Sequence, residues 1–110
     1  MRSLKKEEHD LIVYLLNDKP NTDHIIEKLP TLMVEEMNDG GMGSLSFLSH
    51  SGEEKKFGGQ IAQVTLLDFD EIPVSIAIYI DEEDQIFELD VFKADYSPLK
   101  QFPLPPYQPL

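Results

Sequence analysis

Glu88 and Asp90 stand two residues apart in the segment Phe87-Glu88-Leu89-Asp90. On a strand, residues two apart project from one face, so the two carboxylates would share a surface. Paired carboxylates do acid–base chemistry when burial drives their pKa values apart, and exposed strand-face acids do not. Glu35 and Met37 repeat the spacing on an earlier segment. With Tyr79 and Phe92 these residues would form a mixed acidic and aromatic surface. It is read first as a solvated face, second as a protein-binding face and last as a catalytic pair. The partner-binding candidates are Glu35, Asp39, Tyr79, Glu88, Asp90 and Phe92.

Other groupings reduce to structure. Gly40-Gly41-Met42-Gly43-Ser44 could be an anion cradle of backbone N–H groups, but it precedes a strand and lacks a P-loop lysine. A tight hairpin with positive φ explains its glycines. Asp81-Glu82-Glu83-Asp84 lacks the alternating ligands, central glycine and distant Glu of a calcium loop, so it reads as a solvated hairpin tip. His9, His24 and His50 show no metal-ligand spacing. No serine sits in a G-x-S-x-G elbow. The absence of cysteine excludes thiol catalysis, Cys-ligated zinc and iron–sulfur clusters. Pro103-Leu104-Pro105-Pro106 matches P-x-x-P but has no flanking arginine, and reads as tail packing. No catalytic residue, metal or cofactor is expected.

The formal net charge is −12 in a chain of 110 residues, and it is unevenly placed. Residues 1–30 carry five bases against six acids, whereas residues 31–97 carry three bases against fifteen acids. Phosphate contacts need Lys and Arg, so nucleic acid is disfavoured as a partner, and anionic membrane likewise. A basic protein partner is electrostatically suited. No signal peptide is visible, and the apolar runs Leu11–Leu16 and Ile76–Ile80 are too short to cross a bilayer. A cytoplasmic protein is expected.

The elements that would position the acids follow from periodicity. Leu4, Leu11, Ile12, Leu15 and Leu16 keep helical spacing, with Ser3 as the expected cap and Pro20 beyond the end. A second helix is expected to start at Asn21 or Thr22 and stop before Pro30. From Thr31 the period becomes two. The expected strands are one with Leu32 and Val34 alternating against Met33 and Glu35, then Ser44–Ser49 and Gln60–Phe69. A fourth begins at Pro73, with Val74, Ile76, Ile78 and Ile80 on one face, and is central because both faces are largely apolar. The fifth is Ile86–Lys93, with Phe87, Leu89 and Val91 on one face and Glu88, Asp90 and Phe92 on the other. A mobile loop is expected over residues 50–59. Ser97–Leu110 holds five of the eight prolines and should lie extended on the surface or be partly disordered.

The fold class is therefore α+β, in one domain over residues 1–110. Residues 1–30 are helical, 31–96 form a five-stranded antiparallel meander sheet, and 97–110 form an extended Pro-rich tail. Two N-terminal helices are expected on one face of the sheet.

Two stretches carry a resemblance. They are Glu35-Glu36-Met37-Asn38-Asp39-Gly40-Gly41-Met42-Gly43-Ser44-Leu45 and Phe87 through Leu99. With Arg2-x-Leu4 and the Leu11–Leu16 helix, they resemble a bacterial family of small single-domain proteins of unknown function, over most of residues 2–99. The resemblance brings no catalytic residue. Some similar small acidic proteins act as immunity proteins in toxin–immunity pairs, and that role comes by analogy alone. Three functions stand open: an acidic module that binds, and as an immunity protein neutralises, a basic protein; a small-ligand binder or enzyme with a pocket between helices and sheet; and a homodimer built through the sheet face.

Overall fold

The structure is a computed structural model and describes residues 1–49 and 53–110. His50 and the first residues of the loop after it lie outside the described residues. The elements in chain order are β1 (Arg2–Ser3), α1 (Lys6–Leu16), α2 (Asp23–Lys28), a 3₁₀ turn (Leu29–Thr31), β2 (Met33–Glu36), β3 (Leu45–Phe47), β4 (Phe57–Leu67), β5 (Pro73–Asp81) and β6 (Ile86–Lys93). No helix among the described residues is long and apolar enough to cross a membrane.

The start of α1 differs from expectation. Ser3 belongs to β1, and Lys5 occupies the cap position. Glu8, in the first turn, accepts the Lys5 backbone N–H at 2.8 Å. Its two oxygens also take the Arg2 guanidinium at 2.8 and 2.9 Å. One buried carboxylate thus satisfies an orphan helix N–H and ties β1 to the helix. At the other end Thr22 Oγ1 donates to the carbonyls of Leu16 and Lys19, and α2 stops at Lys28, before Pro30.

Among the described residues the sheet has six strands, all pairs antiparallel, in the order β1-β2-β3-β6-β5-β4. The expected five-stranded meander is corrected in two ways. Arg2–Ser3 adds an edge strand through Arg2↔Val34 and Ser3↔Met33. And β3 pairs with β6, through Leu45↔Leu89 and Ser46↔Glu88, while β4 goes to the far edge. Short turns constrain β4–β5 and β5–β6 to be neighbours. The link between β3 and β4 is long enough to leave the neighbour of β3 open, and strand alternation says nothing about it.

Local register also departs from simple alternation. Tyr79 pairs with Glu88 but Ile80 pairs with Ile86, so Phe87 is an extra residue, a β-bulge. Ile86 therefore takes the core position expected for Phe87, followed by Leu89 and Val91. Strand β4 starts at Phe57 rather than Gln60, ends at Leu67 rather than Phe69, and carries two register shifts of its own. At the first shift a Cβ on Gly58 would stand 2.4 Å from the Asp81 carbonyl oxygen, so only glycine fits there.

Helices α1 and α2 cover one face. Leu11, Ile12, Leu15, Leu16, Ile25 and Leu29 share a buried cluster with Val74, Ile76, Ile78, Leu89 and Val91. Lys93 projects into the same side and is fully buried. Its ammonium donates to Asp68 at 2.8 Å, to Asp70 at 2.7 Å and to the Pro98 carbonyl at 3.3 Å. Asp68 also accepts the backbone N–H groups of Phe69, Lys100 and Gln101, at 2.7, 2.7 and 3.2 Å. Burial alone would raise the Asp68 carboxyl. The Lys93 ammonium and the backbone donors outweigh it and bring the pKa from 3.8 down to about 2.

The tail has neither helix nor strand, as its prolines require, and it is docked. Leu99, Phe102 and Tyr107 pack against the core, the Tyr107 ring lies 4.5 Å from Tyr14, and the Leu110 N–H reaches the Thr65 carbonyl at 2.9 Å.

Ile76 is fully buried on β5. Ile76→Ala is expected to lower unfolding free energy by roughly 2–5 kcal/mol, read by urea denaturation. Asp68→Asn leaves a buried ammonium short of one carboxylate and is expected to cost roughly 3–5 kcal/mol at pH 7. The folded-state pKa of Asp68 is depressed, so its contribution is full above pH 3.8 and is lost as pH falls toward about 2. Stability differences between wild type and Asp68→Asn should therefore shrink across that window in acid titrations followed by near-UV circular dichroism.

Candidate protein-binding face

The face opposite the helices is set by register. Glu35 on β2 pairs with Ser46 on β3, Ser46 with Glu88 on β6, Glu88 with Tyr79 on β5, and Tyr79 with Gln60 on β4. These five side chains make one row across the sheet. One step along the strands, Asp90 pairs with Ala77, and Ala77 with Gln63. A further step on, Phe92 pairs with Ser75, and Ser75 with Thr65. Gln63 bridges the last two rows by donating to the hydroxyls of Ser75 and Thr65.

Aromatic rings stand at both ends of this surface. The bulge turns Phe87 toward Phe57, with centroids 6.1 Å apart, and Phe57 lies 5.5 Å from Tyr79. At the other end Phe92 and Tyr96 meet edge to face at 5.1 Å. Phe57, Phe92 and Tyr96 are exposed, as are Met33 and Met37.

The electrostatics are one-sided. Burial, then the Asp90 charge, raises the Glu88 pKa. Burial, then the Asp39 charge, raises that of Asp90, against a lowering hydrogen bond from Ser44. Burial and both carboxylates raise the Tyr79 phenol. Among the described residues no ion pair reaches Glu35, Glu88 or Asp90. Four of the basic groups are engaged elsewhere: Arg2 with Glu8, Lys6 with Asp10, Lys55 with Asp81 and Lys93 with Asp68 and Asp70.

Five of the six sequence candidates, Glu35, Tyr79, Glu88, Asp90 and Phe92, come together on this face. Asp39 stands apart in role. Its carboxylate braces the β2–β3 turn by accepting the Met42 and Ser44 N–H groups at 3.1 and 2.9 Å. Burial would raise its pKa, but those bonds hold it low, and its charge still acts on Asp90. The turn's glycines Gly40, Gly41 and Gly43 all have positive φ, in line with the hairpin reading. Sequence reasoning missed Phe57, read as loop, Phe87, assigned to the core, and Tyr96. No sequence signal marks a bulge, so the orientation of Phe87 was not accessible.

The acidic hairpin after β5 is also corrected. Asp81 is buried rather than solvated. Its Oδ1 accepts the N–H groups of Glu83 and Gln85 at 2.8 and 3.0 Å, closing the turn. It borders a cleft of about 530 Å³ between α2 and the β5–β6 hairpin, floored by Ile25, Leu32 and Ile86. Lys55 points in, donates to the Ile86 carbonyl and lies 3.7 Å from Asp81. Burial lowers the Lys55 pKa, against Asp81. These polar groups satisfy one another. His24 meets the Asp84 carbonyl at 2.7 Å. Among the described residues no three His, Asp or Glu side chains gather at a metal-sized centre.

The raised pKa of Glu88 means that the folded state binds its proton more tightly than the unfolded chain does. Its charge is therefore destabilising at neutral pH, and that penalty shrinks as pH falls through the folded value and is gone below the ordinary value of 4.5. Glu88→Gln is expected to raise the thermal midpoint at pH 7, with the gain vanishing once the pH falls below 4.5. An unchanged midpoint at pH 7 would count against electrostatic strain on this face.

No curated protein and no solved structure matches the chain. A family model does, over residues 1–103, which takes in every helix and strand and the first part of the tail. By that match the chain belongs to the family described as Domain of unknown function (DUF6984).

Proposed function

We propose that this chain is a non-catalytic protein-binding module whose helix-free sheet face receives a basic protein. The observation that carries this reading is the gathering of Glu35, Glu88 and Asp90 with Tyr79 and Phe92 on one face, without a counter-charge among the described residues. A cationic partner would relieve the carboxylate repulsion that adds to burial in raising the Glu88 and Asp90 pKa values, and its charge would steer encounter. Exposed aromatic rings at both ends supply apolar area of the kind that dominates binding energy. Neutralisation of a basic toxin is the biological form of this proposal, by analogy with small acidic immunity proteins.

A homodimer through this face fits less well. A two-fold interface would set Glu35, Glu88 and Asp90 of one copy against the same acids of the other. An enzyme reading also lacks support here, because the two carboxylates share one open face rather than a closed cavity.

The test compares wild type, Glu88→Lys/Asp90→Lys and the equal-charge control Glu82→Lys/Glu83→Lys as baits in native-host lysate. The same basic protein should be retained by wild type and control and lost by the face variant. With that protein purified, the face variant should associate about tenfold more slowly and with a flatter salt dependence. Retention of no basic protein, or a face variant that associates at the wild-type rate, sinks the proposal.

A further inference from the structure

We infer that the element of the partner seated on this face is a basic amphipathic α-helix lying across the strands, between the two aromatic ridges. The inference rests on the protein-binding reading above and adds the form of the partner.

The shape of the face carries it. Along β5 the Phe57–Tyr79–Phe87 ridge and the row holding Phe92 are separated by the four steps from Tyr79 to Ser75. Four strand residues span about 13 Å. The floor between is the Asp90–Ala77–Gln63 row, lowest at Ala77, with Ser46 and Ser75 in the rows at its two edges. An α-helix with its side chains is about 10–12 Å across and fits that width. A second sheet would have to run along the strands and over both ridges, and a single extended segment would fill less than half the gap.

The charges match the same orientation. Glu35 and Glu88 lie in one row, two strands apart, a distance of about 9.5 Å. Residues i and i+7 of a helix lie about 10.5 Å apart along its axis and on one face. From an axis over the Asp90–Ala77 row, Lys or Arg at i and i+7 on the side toward the neighbouring row would therefore meet Glu35 and Glu88. Asp90 lies beneath the same helix, and the ridges would pack against its apolar sides. Seated this way, the helix forms a second helical layer on a sheet that carries α1 and α2 on the opposite side only.

The probe is a pair of 18-residue Ala/Leu/Lys peptides of identical composition. One collects its lysines at i and i+7 spacing on one face, and the other has them permuted around the helix. Binding to the wild-type full chain is followed by calorimetry and by amide shifts. The faced peptide should bind saturably, shift Ser46, Ala77 and Ser75, and bind about tenfold more tightly than the permuted one. Ser46→Tyr, which raises the groove's edge between Glu35 and Glu88 without changing charge, should weaken the faced peptide about tenfold while the thermal midpoint stays near wild type. Glu88→Lys/Asp90→Lys should abolish binding. If that charge variant loses binding while both peptides bind wild type equally and Ser46→Tyr has no effect, the helix inference is overturned and the acidic-face reading stands. If the charge variant binds like wild type, both fall.

Discussion

The buried ammonium of Lys93 is the point on which the rest of the structure hangs. It sits at the end of β6 with no solvent exposure and draws together the turn after β4, through Asp68 and Asp70, and the start of the tail, through the Pro98 carbonyl. Asp68 extends the grip by binding the Lys100 and Gln101 N–H groups. A charge buried with this set of partners is costly to break, because each partner removed leaves the others uncompensated. The tail, which has no ladder of its own, thereby gains a fixed starting point, and Phe102 and Tyr107 can then close the edge of the core.

That anchoring leaves the two faces of the sheet chemically unlike. One face is filled by α1, α2 and the aliphatic side chains of β5 and β6. On the other, the bulge at Phe87 moves an aromatic ring out of the core and beside Phe57. Without the bulge Phe87 would compete with Ile86 for the core position, and the ridge next to Tyr79 would lose one of its rings. A one-residue irregularity in β6 thus decides both how the core is filled and what the open face offers.

The distribution of basic groups has the same effect on charge. Nine Lys and Arg residues face twenty-one acids. Several of the nine are committed to internal pairs, such as Arg2 with Glu8 and Lys93 with its two aspartates. Glu88 and Asp90 are left partly buried, and burial first, then the Asp90 charge on Glu88 and the Asp39 charge on Asp90, raises both pKa values. Cationic groups of another molecule are the chemistry that such a surface accommodates best.

Much of this was legible in the amino-acid sequence. The apolar stripe of α1, the period-two strands, the glycine turn at 40–43 and the shared face of Glu88 and Asp90 all follow from local spacing, because side-chain direction repeats every 3.6 residues on a helix and every 2 on a strand. Hairpin neighbours followed from short turns, but the longer-range neighbours did not. Alternation says which way a residue points and not which strand lies beside it, so the pairing of β3 with β6 and the strand at Arg2–Ser3 came only with the tertiary structure. Bulges escaped for a related reason: one unpaired residue resets the alternation and leaves no mark on composition. Lys93 carried no mark beyond ending the fifth strand, Asp81 read as part of a solvated hairpin tip and Asp39 as a face residue, because burial and turn bracing depend on chain segments tens of residues away or on backbone geometry. The sequence by itself determined which residues could share a face. The tertiary structure alone decided which faces meet, since long-range pairing is chosen by the packing of the whole core and not by any local period.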